Sequence, residues 1–188
     1  FPTRRSSDLI VFFSPEDLNI IKNGPAERRR FIDLELAQLD KLYLSDLSNY
    51  NRIINQRNKL LKDVYNRNDL LETLEIWDLQ LIQYGNKIIE RRKKFIGQVN
   101  DIISEVHKKL TGGKEELKLY YEPGIGNLEF EKALLKNRER DIRMKSTSVG
   151  PHRDDICFMT NDLDIRKFGS QGQQRTAALS LKLSEIEL

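Results

Sequence analysis

With 188 residues, 32% of them charged and only 38% hydrophobic, the chain is too polar for one compact core and points to an elongated helical element. A single cysteine, Cys157, excludes an intramolecular disulfide framework and fits a reducing compartment, and two histidines leave almost no ligands for a Cys/His zinc site. No apolar run approaches the length of a membrane span, no segment has the order of a signal peptide, and a net charge of +3 is too small to argue for nucleic-acid binding by itself, so a cytoplasmic protein is expected.

Residues 1–8 are polar and aperiodic and read as a non-native leader. Leu9 to Phe13 is a short apolar run, as expected of a buried strand. Ser14, Pro15 and Asp17 stand where a capping box with proline at the first helical position needs them, predicting a short helix to about Ile21, stopped at Asn23-Gly24-Pro25.

From Pro25 the apolar residues Ile32, Leu36, Leu39, Tyr43, Leu47, Tyr50, Ile54, Leu61 and Val64 recur at intervals of three and four, with Arg57 in a gap. After a break at 65–69, where Asp69 and Glu72 are spaced to cap, a second seam runs Leu70, Leu74, Trp77, Leu81, Tyr84, Ile88, Phe95, Val99, Ile102, Val106, Leu110, interrupted around Arg91-Arg92 and ended by Gly112-Gly113. Two such helices, each of roughly 35 to 40 residues, bury their seams by running antiparallel, as a protruding hairpin arm or as part of a compact bundle.

Leu117 to Tyr121 alternates as a strand and stops at Pro123-Gly124. Phe130 to Met144 reads as a charged helix leading into a basic stretch, Lys136, Arg138, Arg140, Arg143, Lys145 and Arg153. That stretch is either a solvated face or a contact for a phosphate backbone. The turn 147–155 contains His152, Arg153, Asp154 and Asp155, which form either a reactive cluster or a set of bridges holding a tight turn. Ile156 to Met159, the break at Asn161-Asp162 and the alternating Leu163 to Phe168 predict a β-hairpin. Phe168-Gly169-Ser170-Gln171-Gly172-Gln173-Gln174-Arg175 then opens a helix whose first amides suit either an ordinary cap at Ser170 or a bound anion.

This order of elements, with Val-Phe-Phe-Ser-Pro-Glu-Asp-Leu (11–18), Glu-Arg-Arg-Arg-Phe-Ile-Asp (27–33), Val-Gly-Pro-His-Arg-Asp-Asp-Ile (149–156) and Phe-Gly-Ser-Gln-Gly-Gln-Gln-Arg-Thr (168–176), resembles the RecF family of bacterial DNA replication and repair proteins, within the ABC-type ATPases. The resemblance covers nearly everything after the first eight or nine residues. It implies an α/β (α+β) ABC-type ATPase head with an antiparallel coiled-coil hairpin arm: part of the head in 9–24, the arm in 25–113, and the C-terminal part of the head in 114–188.

By the same resemblance Ser170, Gly172 and Gln173 match the signature motif, which contacts the γ-phosphate of a nucleotide held mainly by the opposite subunit. Ser14 to Leu18 is similar to the region near the family's Q-loop but carries no Gln. The implied intact protein is a weak, ATP- and Mg2+-dependent, DNA-binding dimer. It would act at single-strand gaps, junctions with duplex and stalled forks in the SOS response, with recombination mediator proteins as partners.

No Gly-x-x-x-x-Gly-Lys-Ser/Thr loop occurs in the chain, and no apolar strand ending in Asp-Asp or Asp-Glu follows the signature helix. The expectation is therefore a fragment without Walker A and Walker B, with no catalytic or metal-binding residue of its own, that alone neither holds ATP tightly nor hydrolyses it. The competing readings are a structural coiled-coil interaction module and a different arm-bearing repair ATPase such as RecN, which carries a longer coiled coil.

Overall fold

The structure is a computed structural model that describes residues 14–64, 70–125 and 129–187. The expected leader, the expected strand Leu9 to Phe13 and the break at 65–69 with Asp69 lie outside the described residues. Pro15–Leu18 forms a 3-10 turn that continues as α1 (Asn19–Lys22), and the Asp17 carboxylate accepts the Ser14 N–H at 2.7 Å, as the capping pattern predicts.

The first seam is two helices rather than one: α2 (Pro25–Leu39) and α3 (Lys41–Val64), separated by Asp40 in extended conformation. The Asp40 carboxylate accepts the Leu42 N–H at 2.8 Å, a local bond that caps α3 and competes with helical continuity. Leu39, expected in the seam, is consequently exposed. The chain doubles back at this corner, because the Tyr43 hydroxyl of α3 donates to Asp33 of α2.

α4 (Leu71–Thr111) is uninterrupted and ends where Gly112 and Gly113 take positive φ, with the Gly113 N–H bonded to the Lys108 carbonyl at 2.8 Å. Its buried line is Leu74, Asp78, Leu81, Gly85, Ile88, Arg92, Phe95, Val99, Ile103 and His107, still spaced by three and four. Trp77, Tyr84, Ile102, Val106 and Leu110, expected in the seam, are half-buried or exposed, because polar side chains and a glycine occupy the true register.

β1 (Leu117–Glu122) and α5 (Phe130–Met144) fall where their patterns predict. β2 (Asp155–Thr160) pairs antiparallel with β3 (Leu163–Asp164) in a three-stranded sheet of order β1-β2-β3. The expected strand from Leu163 to Phe168 stops after two residues and becomes α6 (Ile165–Phe168), since the Asp164 side chain accepts the Arg166 N–H and caps a helical turn. α7 (Gln171–Ser184) follows. Among the described residues no helix is long and apolar enough to cross a membrane.

The chain divides into two compact units. The first comprises Phe1–Asn23, Gly97–Leu119 and Phe158–Leu188, the second Gly24–Ile96 and Tyr120–Cys157. α4, β1 and β2 each contribute residues to both units.

In the first unit, Ile21, Ile103, Phe158, Ile165, Ala177 and Leu181 are buried. There the Asn100 side-chain amide both donates to the Leu119 carbonyl and accepts its N–H, each at 2.8 Å, so a helix side chain completes the hydrogen bonding of β1. In the second unit, Asp46 meets Arg91 at 2.5 Å and Arg57 meets Asp78 at 2.6 Å, so α3 runs antiparallel to its portion of α4. Tyr50, Ile53, Leu61, Leu81, Phe95 and Phe130 fill its interior.

The β2–β3 loop is two residues long, with φ of 47° at Asn161 and 67° at Asp162, the geometry of a type I′ turn. Asn-Gly is the favoured pair there, and Asp162 is exposed. Asp162→Gly is therefore expected to stabilise the fold by up to about 1 kcal/mol, read as a higher midpoint of thermal unfolding by circular dichroism.

Candidate functional site

The signature-like loop lies at the start of α7. The Ser170 hydroxyl accepts the Gln173 N–H at 3.2 Å while the Gln173 side-chain oxygen accepts the Ser170 N–H at 2.9 Å, a reciprocal capping box. The Gln173 amide nitrogen donates to Glu115 at 3.0 Å. The first-turn amides of Gln171 and Gly172 have no intrahelical acceptor, and Gly172 and Ser170 are exposed.

A Cβ on Gly172 would lie 3.8 Å from the Ser170 oxygen, so a larger residue would fill the space beside the cap. This end of α7 offers backbone donors and the positive end of a helix dipole to an incoming anion. Glu115, joined to the loop through Gln173, lies 3.5 Å from Nε2 of His107 on α4, a ring whose charge burial disfavours, and His107 Nδ1 meets the Ser180 hydroxyl of α7 at 2.8 Å. The loop is thus tied to its own helix and to the end of α4.

The 147–155 turn belongs to the second unit and is held at nearly every residue. Arg57, fully buried, donates to Asp78 at 2.6 Å, Asp141 at 2.8 Å and the Thr147 hydroxyl at 2.9 Å. Asp141 in turn accepts the Ser148 N–H and hydroxyl. Arg92, also buried, donates to Asp33 at 2.7 Å and to the Pro151 carbonyl at 2.7 Å. Burial opposes its charge, but Tyr43 and Asp33 outweigh that and raise its pKa. Arg28 grips both oxygens of Asp155, and Arg29 donates to the Asp154 carbonyl. The Asp154 carboxylate accepts the Tyr121 hydroxyl and the Gly124 N–H, while burial pushes its pKa up.

Gly150 has a φ of 127°, and a Cβ there would come within 2.5 Å of the Tyr50 hydroxyl. That hydroxyl meets His152 Nδ1 at 2.7 Å, and His152 Nε2 meets the Thr147 carbonyl at 3.1 Å. A carbonyl only accepts, so Nε2 carries the proton and Nδ1 accepts from Tyr50. Burial lowers the His152 pKa to about 4, with Arg153, Arg29 and Arg57 adding to the effect. Both ring nitrogens are engaged and the ring is neutral, so of the two readings of 152–155 the geometry fits the bridged turn.

The six basic candidates separate. Lys136, Arg140 and Arg143 are exposed and, at spacings of four and three, share one face of α5. Lys145 and Arg153 are exposed as well. Arg138 instead turns to α4, donating to Glu75 and to the Leu71 carbonyl, both at 3.1 Å. Sequence reading met Arg57 and Arg92 only as gaps in the seams and gave no role to Asp78, Asp141, His107 and Glu115; the available signal was that Arg57, Asp78, Arg92 and His107 keep the three- and four-residue spacing of the buried lines. Among the described residues no group of three or more His, Cys, Asp or Glu side chains is placed to hold a metal ion.

No protein-family model matches the chain. It is 59% identical, over its full length, to the DNA replication and repair protein RecF of Agathobacter rectalis and 61% identical, over 95% of its length, to that of Lachnospira eligens. A solved structure described as the recombination mediator protein RecF-ATP in the RecFOR pathway matches with a TM-score of 0.88 at 39% identity, over 95% of this chain. Another, described as RecF-ATPrS, matches with the same score at 37% identity, over 94% of the chain.

Over its whole length this chain is homologous to RecF. It spans 53% and 50% of the two curated relatives and 50% of each of the two solved RecF chains. Its mostly helical fold with a small antiparallel sheet is the RecF ABC-ATPase-like fold over that half.

Two outcomes follow for this polar core. Arg57→Ala leaves Asp78 and Asp141 buried without their cation and is expected to destabilise the protein by about 3 to 5 kcal/mol in urea unfolding. Because the folded pKa of His152 is depressed, its contribution is present above the unfolded value near 6.5 and is lost as pH falls through about 4. Midpoints measured across that window should fall with pH, and less steeply in His152→Asn.

Proposed function

We propose that this chain is the signature-loop half of a RecF-type, ATP-dependent DNA repair ATPase. The observation that carries the reading is the exposed start of α7, where Ser170 and Gln173 close a capping box and the first-turn amides of Gln171 and Gly172 are left without an intrahelical acceptor, on a chain homologous to RecF and similar to a RecF-ATP structure. In the intact protein, Ser170, Gly172 and Gln173 contact the γ-phosphate of an ATP held chiefly by a second subunit, together with Mg2+, and nucleotide joins two heads into a dimer. Developing charge on the phosphate would be met by the loop amides, which need no reorganisation because the cap already orients them.

Helices α2 to α4 serve as the arm, and the dimer holds DNA at gaps or junctions through the exposed basic residues Lys136, Arg140, Arg143, Lys145 and Arg153. Arg138 contributes to the packing of α5 on α4 instead. Hydrolysis would release the dimer and its hold on DNA, and recombination mediator proteins would be its partners. Arm length favours RecF over RecN, and so does the homology.

The test is Ser170→Arg in the intact protein, with the dimer fraction followed by analytical ultracentrifugation at increasing ATP. The variant removes the cap oxygen and fills the space beside Gly172, so dimerisation should weaken by about tenfold or more with the circular dichroism spectrum unchanged. Dimerisation equal to that of the parent protein would remove the trans-phosphate role.

A further inference from the structure

Within the first unit, the carboxylate of Glu115 reaches the signature-like loop from outside it. Its Oε1 accepts a side-chain N–H of Gln173 at 3.0 Å, while the oxygen of the same amide accepts the Ser170 backbone N–H at 2.9 Å. A carboxylate in this place admits only the nitrogen edge of the amide, so Glu115 fixes which way round the Gln173 side chain lies. Turned over, the amide would set its NH2 group against the Ser170 N–H, donor against donor, and the capping box would open.

The backbone on either side of Glu115 is clasped by one residue of the β2–β3 turn. The Asn161 side chain accepts the Glu116 N–H at 3.2 Å and donates to the Lys114 carbonyl at 3.3 Å. The carboxylate is thus presented from a fixed base.

His107 does not compete for it. The Ser180 hydroxyl donates to the Thr176 carbonyl at 2.7 Å, so it can only accept from His107 Nδ1, which therefore carries the ring proton. His107 Nε2 is left with a lone pair, buried and without a hydrogen-bond partner, 3.5 Å from Oε2 of Glu115. A lone pair facing a carboxylate makes no hydrogen bond, and among the described residues Gln173 is the donor that the Glu115 side chain engages.

With the box closed, the Ser170 hydroxyl accepts the Gln173 backbone N–H at 3.2 Å and keeps its own proton to donate, and the Gln173 amide keeps a second N–H. We infer that Glu115 is a positioning residue for the signature-like loop: by holding the Gln173 amide it keeps the box closed and these donors set for a phosphate. The inference rests on the reading of the loop as a γ-phosphate contact. Glu115 acts through Gln173 and touches no nucleotide.

The test uses the intact protein. Glu115→Ala removes the acceptor, whereas Glu115→Gln keeps an oxygen for Gln173 and brings an N–H to the unpartnered Nε2 of His107. Without nucleotide, hydrogen exchange read by mass spectrometry should show the Ser170 and Gln173 amides exchanging about threefold or more faster in Glu115→Ala, and at the parent's rate in Glu115→Gln. With ATP, Glu115→Ala should weaken dimerisation by about threefold to tenfold and Glu115→Gln should match the parent. Added to Gln173→Ala, Glu115→Ala should cause no further loss.

Unchanged exchange in Glu115→Ala, a Glu115→Gln variant as weak as Glu115→Ala, or an equal loss in the Gln173→Ala background would overturn the inference. Ser170→Arg separates it from the reading beneath it. Parent-like dimerisation in Ser170→Arg removes the γ-phosphate role and the positioning role with it, whereas weakened dimerisation there with Glu115→Ala at the parent's level removes the positioning role alone.

Discussion

Two fully buried guanidiniums govern the helical unit. Arg57 and Arg92 have no water to solvate them, so each requires carboxylates and carbonyls placed within hydrogen-bond reach. Arg57 draws Asp78 from α4, Asp141 from α5 and Thr147 from the turn; Arg92 draws Asp33 from α2 and the carbonyl of Pro151. Clamps of this kind add little net stability over an apolar substitute, because desolvation offsets most of the Coulomb gain. They do make every other register of these helices costly, since a shift of one residue strands a buried charge.

The glycine-proline turn inherits its shape from that arrangement. Gly150 passes against the Tyr50 hydroxyl, His152 is locked as a neutral ring between Tyr50 and Thr147, and Asp154 and Asp155 are taken up by Tyr121, Gly124 and Arg28. A segment that reads in isolation like a reactive cluster is therefore a rigid bracket. The signature-like loop in the other unit is fixed by a separate chain of contacts through Gln173, Glu115 and His107, which runs from the first turn of α7 to α4.

Local chemistry was the most legible part of the sequence. The capping residues Ser14, Asp17 and Ser170, the glycine stop at 112–113, the strand at 117–122 and the helix at 130–144 all depend on interactions within a few residues, which pattern reading captures. The break at Asp40 was just as local, yet the apolar spacing ran across it unchanged, and only the carboxylate bond to Leu42 reveals that the helix stops. The step from β3 into α6 escaped for the same reason, an Asp164 cap hidden in an alternating run.

The periods, the caps and the four motif strings were enough to identify a helical hairpin attached to a small sheet and the family to which its motifs point, because each rests on nearest-neighbour geometry written along the chain. What only the tertiary structure decided was which residues occupy the interior. Asp78, Gly85 and His107 hold core positions that hydrophobicity assigns to their neighbours Trp77, Tyr84 and Val106, and Arg92 fills one where the seam reads as interrupted. A charge is admitted to a core only when distant carboxylates, carbonyls or hydroxyls converge on it, and convergence across 21 to 90 residues, as at Arg57, is a property of the fold.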